Sequence, residues 1–584
     1  MSGPDTSPAG LNHASAAEPR REQMFPVLSV AQMAVAGRFA PDPSRRFAPG
    51  EALFSVGERD APAFLVLAGA VAVVRRDGSG AAFPTTTHGP GQITGEINQL
   101  AGRPALAEGR AGPDGCEALA FDAAHLRALI VGSADLGEIV MRAFILRRTA
   151  LITGGGAGAV LLGHPGERRL TAIEGFLARN GTPYAMLDAQ ADGRALGDRL
   201  GLCEDDLPVV VCPNGSVLRR PTEAEVGMCL GLTPDLDPER VYDVAVVGAG
   251  PAGLATAVYA ASEGLAAIVL DARAFGGQAG ASARIENYLG FPTGISGHAL
   301  TARAFAQAQK FGAEIAVPPT VESLDCSGRA AGLPFALRIA GGGRVQARTV
   351  VIASGARYRR PAVDDLALFE GAGVSYWASP VEARLCAGET VALVGAGNSA
   401  GQAVAYLAPR VEHLHLVVRG DGLEASMSRY LIERIAALPN VTLHTRTEVE
   451  ALEGDAVKGL RAARFRHRDT AETVTAPLRH LFLFIGADPN TDWLEDCAVA
   501  LDARGFVRTG TEASADPPGA AQRTAAGRAP LPLETSLPGV FAIGDARAGS
   551  TKRVAAAVGE GAAVVAAIHG LLAEAPPAAP PPGV

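Results

Sequence analysis

Two glycine-rich turns, each between a buried strand and a helix, constrain the fold of this 584-residue chain more than any other feature. In the first, the apolar strand 242–247 leads into Gly248-Ala-Gly250-Pro-Ala-Gly253 and then an Ala- and Leu-rich helix. In a dinucleotide-binding unit the first glycine permits a tight turn, the second lets backbone amides approach a pyrophosphate, and the third lets helix and strand pack closely. The next strand ends at Asp271, an acid that would accept hydrogen bonds from ribose hydroxyls. We therefore predict a nucleotide-binding βαβ unit here.

The second turn follows strand 391–394 and reads Gly395-Ala-Gly397-Asn-Ser399-Ala. Its next strand ends at Arg419, where the first unit has its acid. A cation at that position could accept the 2′-phosphate of NADPH, although a surface arginine that caps a strand is the alternative. We therefore expect Gly395, Gly397, Ser399 and Arg419 to bind a nicotinamide dinucleotide.

A third signature, 533–545, is a strand that ends in Gly544-Asp545 and precedes the basic start of a helix, which includes Arg553 and Val554. Asp545 could hydrogen-bond hydroxyls near the ribityl chain of a flavin. Backbone amides at the helix start could face the pyrimidine edge of the isoalloxazine. The signature predicts FAD as the dinucleotide of the first unit.

These features resemble the low-molecular-weight thioredoxin reductase family of flavoproteins, from residue 241 to about 570. The resemblance implies a discontinuous FAD domain, 241–358 and 479–572, with a nicotinamide domain, 359–478, inserted in it. It also implies FAD and NADPH (or NADH) as cofactors. Supporting segments add four expected cofactor residues, namely Gly277, Gln278, Asn287 and Gly355.

The resemblance fails where that family carries C-A-x-C, the disulfide that takes electrons from the flavin. Trp377 and Pro380 stand in place of the two thiols, so the usual flavin-to-dithiol relay is absent. Nearby Cys386 is single, and we interpret it as a buried small hydrophobe. Trp377 could stack on the isoalloxazine or fill the space left by the disulfide. We take Trp377, together with Asn287, as a catalytic candidate.

The phosphate-binding H-R-R-x-x-x-R run of that family is also altered. Arg419 is the one arginine kept, Glu424 introduces an acid, and Arg429 could compensate from the next turn. These changes weaken the expectation of NADPH, and NADH stays open as the alternative.

The segment 24–152 resembles the β-roll of cyclic-nucleotide-binding domains, through 49–73 and 95–97. In that family the glutamate equivalent to Glu96 accepts a ribose hydroxyl. The arginine that binds the cyclic phosphate is missing, because Ala105 occupies its place. Burying a phosphate charge without a cation is costly. We expect a ligand-free fold or a different ligand.

The segment 158–234 resembles a glutaredoxin-type thioredoxin fold in the order of its elements. The residues 164–167 (HPGE) occupy the C-x-x-C position, and Leu207-Pro208 occupies the cis-proline position. Cys203 and Cys212 are either a redox pair or buried core thiols. We expect a docking or structural domain.

The chain is thus predicted to be an α/β protein. It has two Rossmann-type domains, for FAD and NAD(P), preceded by a β-roll cyclic-nucleotide-binding-like domain and a small thioredoxin-like domain. We expect disordered tails at 1–23 and 573–584 and a surface loop at about 512–530.

Composition excludes several classes of protein. A net charge of −9 argues against nucleic-acid binding, and the apolar run 562–568 is too short to span a membrane. The seven cysteines form no C-x-x-C pair, which argues against a disulfide scaffold and against a thiol metal site. We expect no metal, reduced thiols, a cytoplasmic location and a homodimer.

The sequence predicts an NAD(P)H-dependent FAD oxidoreductase with an unidentified electron acceptor. A small redox protein, a quinone or oxygen would each fit. One alternative is a thioredoxin-disulfide reductase that acts through a thiol centre on a partner. A second is a flavin-binding sensor or scaffold without turnover.

Overall fold

The computed structural model describes residues 18–76, 82–95, 99–100, 103–105, 107–154, 158–282, 284–327, 333–370, 373–378, 380–455, 459–514 and 529–574. The described residues form four sheet-based units, the last of which is inserted within the third. Their helices are numbered α1–α15 and their strands β1–β26 in chain order.

The first unit is an antiparallel β-roll flanked by helices. Its elements are α1 (Glu18–Met24), α2 (Val30–Gly37), β1 (Arg45–Phe47), β2 (Ala52–Phe54), β3 (Ala63–Arg76), β4 (Ala82–His88), β5 (Glu108–Phe121), α3 (Ala123–Gly132) and α4 (Ala134–Gly154). The sheet order is β1-β5-β3-β4, with β2 also paired to β5. Three phenylalanine rings fill the roll, and Phe64 contacts both Phe47 and Phe54. Helix α1 corrects the expectation of a disordered tail up to residue 23, because 18–24 is helical; 1–17 lies outside the described residues.

The second unit is a small mixed sheet with helices. It contains β6 (Ala159–Gly163), α5 (Arg168–Arg179), β7 (Tyr184–Asp188), α6 (Arg194–Leu200), β8 (Val209–Val211), β9 (Val217–Arg219) and α7 (Glu223–Cys229). The order is β7-β6-β8-β9, with β6 and β7 parallel and the other pairs antiparallel. The predicted strand and helix order is confirmed, and the Leu207-Pro208 peptide bond is cis.

The cysteines of this unit correct two expectations. Cys212 is joined to Cys229 by a disulfide, so the thiols are not all reduced. Cys203 is exposed, and its thiol donates to the Asp206 carboxylate at 3.2 Å. Neither alternative for these two residues is therefore right, because Cys203 and Cys212 do not pair and Cys203 is not a buried core thiol. The sequence does not reveal the true partner, because strand β8 and helix α7 meet only in the folded sheet.

The third unit begins with β10 (Val241–Val247), α8 (Pro251–Ser262), β11 (Ala267–Leu270), α9 (Gly277–Gly280), α10 (Gly297–Phe311), β12 (Glu314–Ala316), β13 (Val321–Asp325), β14 (Phe335–Ile339) and β15 (Gly343–Ile352). Val244–Val247 of β10 and all of β11 are buried on both faces, which explains why these stretches are apolar throughout.

A fourth unit interrupts the third. It contains β16 (Ala356–Tyr358), α11 (Leu366–Phe369), β17 (Val374–Ser375), α12 (Pro380–Leu385), β18 (Thr390–Val394), α13 (Asn398–Leu407), β19 (His413–Val417), α14 (Arg429–Ala436), β20 (Val441–His444), β21 (Thr447–Asp455), β22 (Gly459–His467), β23 (Thr473–Pro477), β24 (His480–Leu483) and β25 (Ala487–Pro489). A parallel sheet, β17-β24-β18-β19-β20, stands beside an antiparallel one, β21-β22-β23. Strands β16 and β25 pair as a ribbon where the chain leaves and re-enters the third unit.

The chain then completes the third unit with β26 (Val540–Ala542) and α15 (Val554–Glu574). The sheet order is β12-β11-β10-β15-β14-β13, and β26 pairs in parallel with β15. Most of the predicted loop at 512–530 lies outside the described residues.

Helix α15 packs against α8 at a glycine. A Cβ at Gly561 would lie 2.5 Å from the carbonyl oxygen of Ala252, so only glycine permits this approach. Val564, Val565 and Ile568 of α15 are fully buried. By length and composition alone, 554–573 could cross a membrane, a longer apolar segment than the predicted run 562–568. About 28% of that window is buried inside the third unit, where the helix packs against α8.

Candidate functional site

The first glycine turn has the geometry that a dinucleotide needs. Gly248 has φ 111°, and a Cβ there would lie 2.2 Å from the Ala353 carbonyl oxygen. A Cβ at Gly253 would lie 1.9 Å from the Gly248 carbonyl oxygen. At Gly250, by contrast, a Cβ would meet no heavy atom within 4 Å. Backbone contacts therefore exclude a side chain at Gly248 and Gly253. A side chain at Gly250 would instead point into open space at the N-terminus of α8.

Other predicted FAD residues gather around this turn. The Gly276 amide donates to the Ala249 carbonyl at 2.7 Å, and Gly277, with φ 52°, lies against Gly250. The Gln278 side chain donates to the Ala356 carbonyl, next to Gly355, which has φ 67°. A Cβ at Gly544 would lie 3.1 Å from that of Ala252. The carboxyl ends of β10, β15 and β26 thus form one edge of the sheet.

Asp271 holds this edge together. Its Oδ2 accepts from the Ala249 amide at 2.8 Å, and its Oδ1 accepts from the amides of Arg273 and Ala274. Burial raises the pKa of this carboxyl, and the three backbone donors oppose that rise. These three hydrogen bonds shape the turn, a role of Asp271 that the sequence did not reveal. The predicted hydrogen bonds from ribose hydroxyls would use the remaining lone pairs of the carboxylate.

Glu560 braces the Gly544-Asp545 turn and was not predicted. Its carboxylate accepts from the Gly544 amide at 2.6 Å and from the Arg547 guanidinium at 2.5 Å. Glu560 is the one acid of α15 before its last residue, a signal that could have drawn attention to it. Burial raises the pKa of the half-buried Asp545, and the Lys552 ammonium, 4.0 Å away, opposes it.

Helix α15 starts where the sequence predicts. Arg553 is exposed, and its guanidinium donates to the Lys552 carbonyl at 3.0 Å. Val554 is the first residue of the helix and is half-buried. The helix N-terminus therefore adjoins the turn that Glu560 braces.

The second glycine turn repeats the geometry of the first. Gly395 has φ 146°, and a Cβ there would lie 2.5 Å from the Phe484 carbonyl oxygen. A Cβ at Gly397 would meet no heavy atom within 4 Å. Ser399 is exposed at the start of α13, beside Asn398, whose Oδ1 accepts two hydrogen bonds at 2.7 Å from Ser428.

Arg419 lies just beyond β19 and is exposed. Within the described part of the chain its guanidinium makes no ion pair. Arg429, considered as a substitute, pairs with Glu433 at 2.8 Å, an exposed pair that water screens. Arg419 is the better placed of the two to bind an incoming phosphate.

Trp377 belongs to an aromatic group near the ribbon. Its Nε1 donates to Glu382 Oε1 at 2.9 Å, and its ring lies 6.4 Å from that of Tyr358, centroid to centroid. Tyr358 stacks on Tyr376 at 5.7 Å. Burial raises the pKa of Tyr358 to about 12, and the charges of Arg273 and Asp545 also act on this phenol. The aromatic group therefore adjoins the sheet edge at Asp545, and Tyr358 is a member that the sequence did not reveal.

The thiol positions of the relay hold no cysteine. Pro380 begins α12, and Ser379 before it lies outside the described residues. Cys386 is fully buried, and burial raises the pKa of its thiol to about 11. A thiol in that state is a poor nucleophile, in agreement with its interpretation as a small hydrophobe.

Asn287 lies apart from the glycine turns. It is exposed and lines an open cavity of about 450 Å³ together with Arg284 and Tyr430. Glu286, which also lines this cavity, pairs with Arg434 of α14 at 3.2 Å. Asn287 is thus at the boundary between the third and fourth units.

The β-roll lacks a cation at the predicted position. Ala105 is buried and exchanges backbone hydrogen bonds with Gly57 and Glu58. The preceding Arg103 donates to the carbonyls of Leu232 and Ile315, so it joins neighbouring units. Glu96 lies outside the described residues.

Comparison with known proteins adds two family matches. The model described as "Pyridine nucleotide-disulphide oxidoreductase" matches residues 242–561. The model described as "Cyclic nucleotide-binding domain" matches residues 44–132.

Individual proteins match the same C-terminal part. NADPH-dependent thioredoxin reductase 3 of Arabidopsis thaliana is 32% identical over 330 residues, which cover 55% of this chain but only 57% of that protein. Thioredoxin reductase of Listeria monocytogenes is 30% identical over 323 residues, or 55% of this chain and 91% of that protein. The crystal structure of T. acidophilum thioredoxin reductase is 26% identical, covers 57% of this chain and 99% of its own, and has a TM-score of 0.50.

Proposed function

The chain belongs to the pyridine nucleotide-disulphide oxidoreductase family, and on that premise we propose that it oxidises a reduced nicotinamide dinucleotide with FAD as prosthetic group. One observation carries the proposal. Gly250 and Gly397 both face open space at a helix N-terminus, whereas the glycine before each is locked by backbone contacts. Two such turns in one chain suit two dinucleotides.

The residues around the first turn fit FAD. Gly250 and the α8 N-terminus would receive the pyrophosphate, and Asp271 would bind the adenosine ribose. Asp545 and the amides from Val554 onward would bind the flavin end, with Glu560 fixing the turn. FAD would supply a two-electron carrier that accepts hydride and passes electrons on.

The acceptor in this proposal is not a disulfide of the fourth unit. Trp377 stands at the first thiol position with its indole fixed by Glu382, and Cys386 is buried. A one-electron protein carrier, a quinone or oxygen would therefore take the electrons. The aromatic group of Trp377, Tyr358 and Tyr376 would limit access to the flavin from this side.

A second candidate is thiol–disulfide reduction through a partner. The names of the matched relatives favour it, and so does the Cys212–Cys229 disulfide in the neighbouring unit. We propose that this unit, residues 158–234, is thioredoxin-like and serves as a docking or redox accessory. We also propose domains at 24–152, at 241–358 with 479–572, and at 359–478. A homodimer and a cytoplasmic location are part of the same proposal.

Anaerobic titration of the yellow protein with NADH and with NADPH tests the first step. Bleaching of the visible flavin band is expected with at least one of them, and an unbleached band would leave only a flavin-binding scaffold. An acceptor screen follows with oxygen, a benzoquinone, a ferredoxin and a thioredoxin. Fast thioredoxin turnover would select the second candidate over the first.

A further inference from the structure

Two cysteines far apart in sequence meet in the third unit. The Sγ atoms of Cys326 and Cys497 are 3.3 Å apart, although 171 residues separate them along the chain. Cys326 follows β13 at the edge of the sheet. Cys497 follows a short 3₁₀ helix, Asp492–Leu494, on the segment that returns from the fourth unit. Both residues are half-buried.

The surroundings of this pair favour thiol chemistry. Both cysteines pack against an apolar cluster that includes Leu494 and Val499. The hydrogen bond with Cys326 lowers the pKa of the Cys497 thiol, burial opposes it, and the backbone amides of Val499 and Ala498 add to the lowering. A lowered thiol pKa increases the fraction of thiolate, which is the nucleophile in disulfide exchange.

We propose that Cys326 and Cys497 are a dithiol that a low-molecular-weight disulfide, such as glutathione disulfide, oxidises reversibly to a cystine. The Cys497 thiolate attacks one sulfur of the reagent, which forms a mixed disulfide and releases one glutathione thiolate. The Cys326 thiolate then attacks Cys497 Sγ and releases the second. The two protein protons pass to the released thiolates, so one disulfide forms, one is reduced and the electrons balance.

The geometry requires little movement. A disulfide bond is about 2.05 Å long, so the two sulfurs must approach by about 1.2 Å. Glu495 and Asp496 before Cys497 and Ala498 after it are exposed, so an approach of this size displaces no core side chain next to Cys497 in the chain.

The cystine would cross-link a specific place. The segment just before Cys497 is already tied to the start of the fourth unit, because the Asn490 amide donates to the Gly355 carbonyl at 3.0 Å and Asp492 pairs with Arg357. Oxidation would therefore fasten the sheet edge at β13 to the segment that follows the inter-unit ribbon. Reduction would release it.

The test equilibrates the full-length holoprotein in glutathione buffers of graded oxidation, quenches with acid, and alkylates the remaining thiols. Peptide mapping is expected to reveal a cross-linked peptide of Cys326 and Cys497 that grows with the disulfide-to-thiol ratio and disappears with excess dithiothreitol. Alkylation of both cysteines at every ratio in the wild-type protein would overturn the proposal, whatever the variants do.

Two variants sharpen the assignment. Cys497→Ser should abolish the cross-link and leave Cys326 either alkylated or bound to glutathione. Cys386→Ser, a matched control at a fully buried thiol, should keep the cross-link at the wild-type yield. A cross-link of Cys326 to any other cysteine in the wild type would also contradict the proposal, and the Cys212–Cys229 disulfide serves as an internal standard.

Discussion

The two glycine turns share one backbone geometry but differ in how the protein supports them. Around Gly250, Asp271 ties three amides together, Gly276 and Gly277 close over the turn, and Glu560 braces the strand end opposite. Around Gly397, support comes from the Asn398–Ser428 contacts, and Arg419 stands exposed. Under our proposal, the more heavily supported first site would hold its dinucleotide throughout turnover. The second, more open site would bind the dinucleotide that enters and leaves.

The largest effect is expected at the first turn. Gly250→Val places its side chain where a pyrophosphate would lie, and no protein atom lies within 4 Å of the added Cβ. The protein should therefore fold but retain less than about a tenth of the wild-type flavin, since close backbone approach needs glycine there. The flavin-to-protein absorbance ratio, with circular dichroism as folding control, measures this. Stoichiometric FAD in the variant would refute the assignment of the first unit.

The matched change at the second turn should separate the two functions. Gly397→Val also adds a Cβ in open space, so FAD content should stay at the wild-type level. Because the nicotinamide pyrophosphate would be blocked, flavin reduction by NADH or NADPH should slow by about 100-fold, or about 2.7 kcal/mol. Stopped-flow reduction is the measurement. Loss of FAD here, with normal reduction in the remainder, would reverse the roles of the two turns.

Low pH should destabilise the fourth unit more than the third. His415 and His444 are hydrogen-bonded at 3.0 Å, beside His413 and Phe465 in the fourth unit. Burial and the neighbouring histidines lower the pKa of His415 from 6.5 to about 4. The unfolded chain therefore binds a proton first as pH falls. The contribution of neutral His415 to stability is full above pH 6.5 and is lost between about pH 6.5 and pH 4.

Differential scanning calorimetry of the holoprotein between pH 7 and pH 5 tests this expectation. The transition of the fourth unit should move to lower temperature while the FAD-releasing transition changes less. His415→Asn should flatten the pH dependence, and an unchanged slope would show that another group is responsible.

A smaller effect is expected at Arg419. Arg419→Ala should raise the KM for NADPH by about fivefold, in the range of an exposed ion pair, and leave the KM for NADH unchanged. Arg429→Ala is the matched control, because Glu433 already engages that guanidinium. Equal effects on both dinucleotides would mean that Arg419 does not read the 2′-phosphate.

We expect the β-roll to bind no cyclic nucleotide. In this it would differ from the two glycine turns, each of which we expect to bind a dinucleotide. Ala105 provides no cation for the cyclic phosphate, and Arg103 is engaged with backbone carbonyls. Calorimetric titration with micromolar cyclic AMP or cyclic GMP should give no binding heat. A micromolar Kd would reveal a phosphate-binding group that lies elsewhere in the roll.

The sequence predicts the glycine turns well because each glycine answers a local need, such as the positive φ of Gly248 or the close contact at Gly253. It predicts the strands β10 and β18 well because the central residues of buried parallel strands are apolar. Glu560 and Tyr358 escaped prediction because their roles arise from chain segments that meet only after folding. The Cys212–Cys229 disulfide escaped for the same reason, since no local spacing marks it.

The ribbon of β16 and β25 has a consequence for how such a chain can change. Ala356 stands opposite Pro489, so the fourth unit leaves and re-enters its host side by side, with a gap of about 5 Å between antiparallel backbones. Strands β15 and β26 pair directly without it. The fourth unit could therefore be replaced by a short turn or by another domain. The sheet of the third unit would keep its strand pairing in either case.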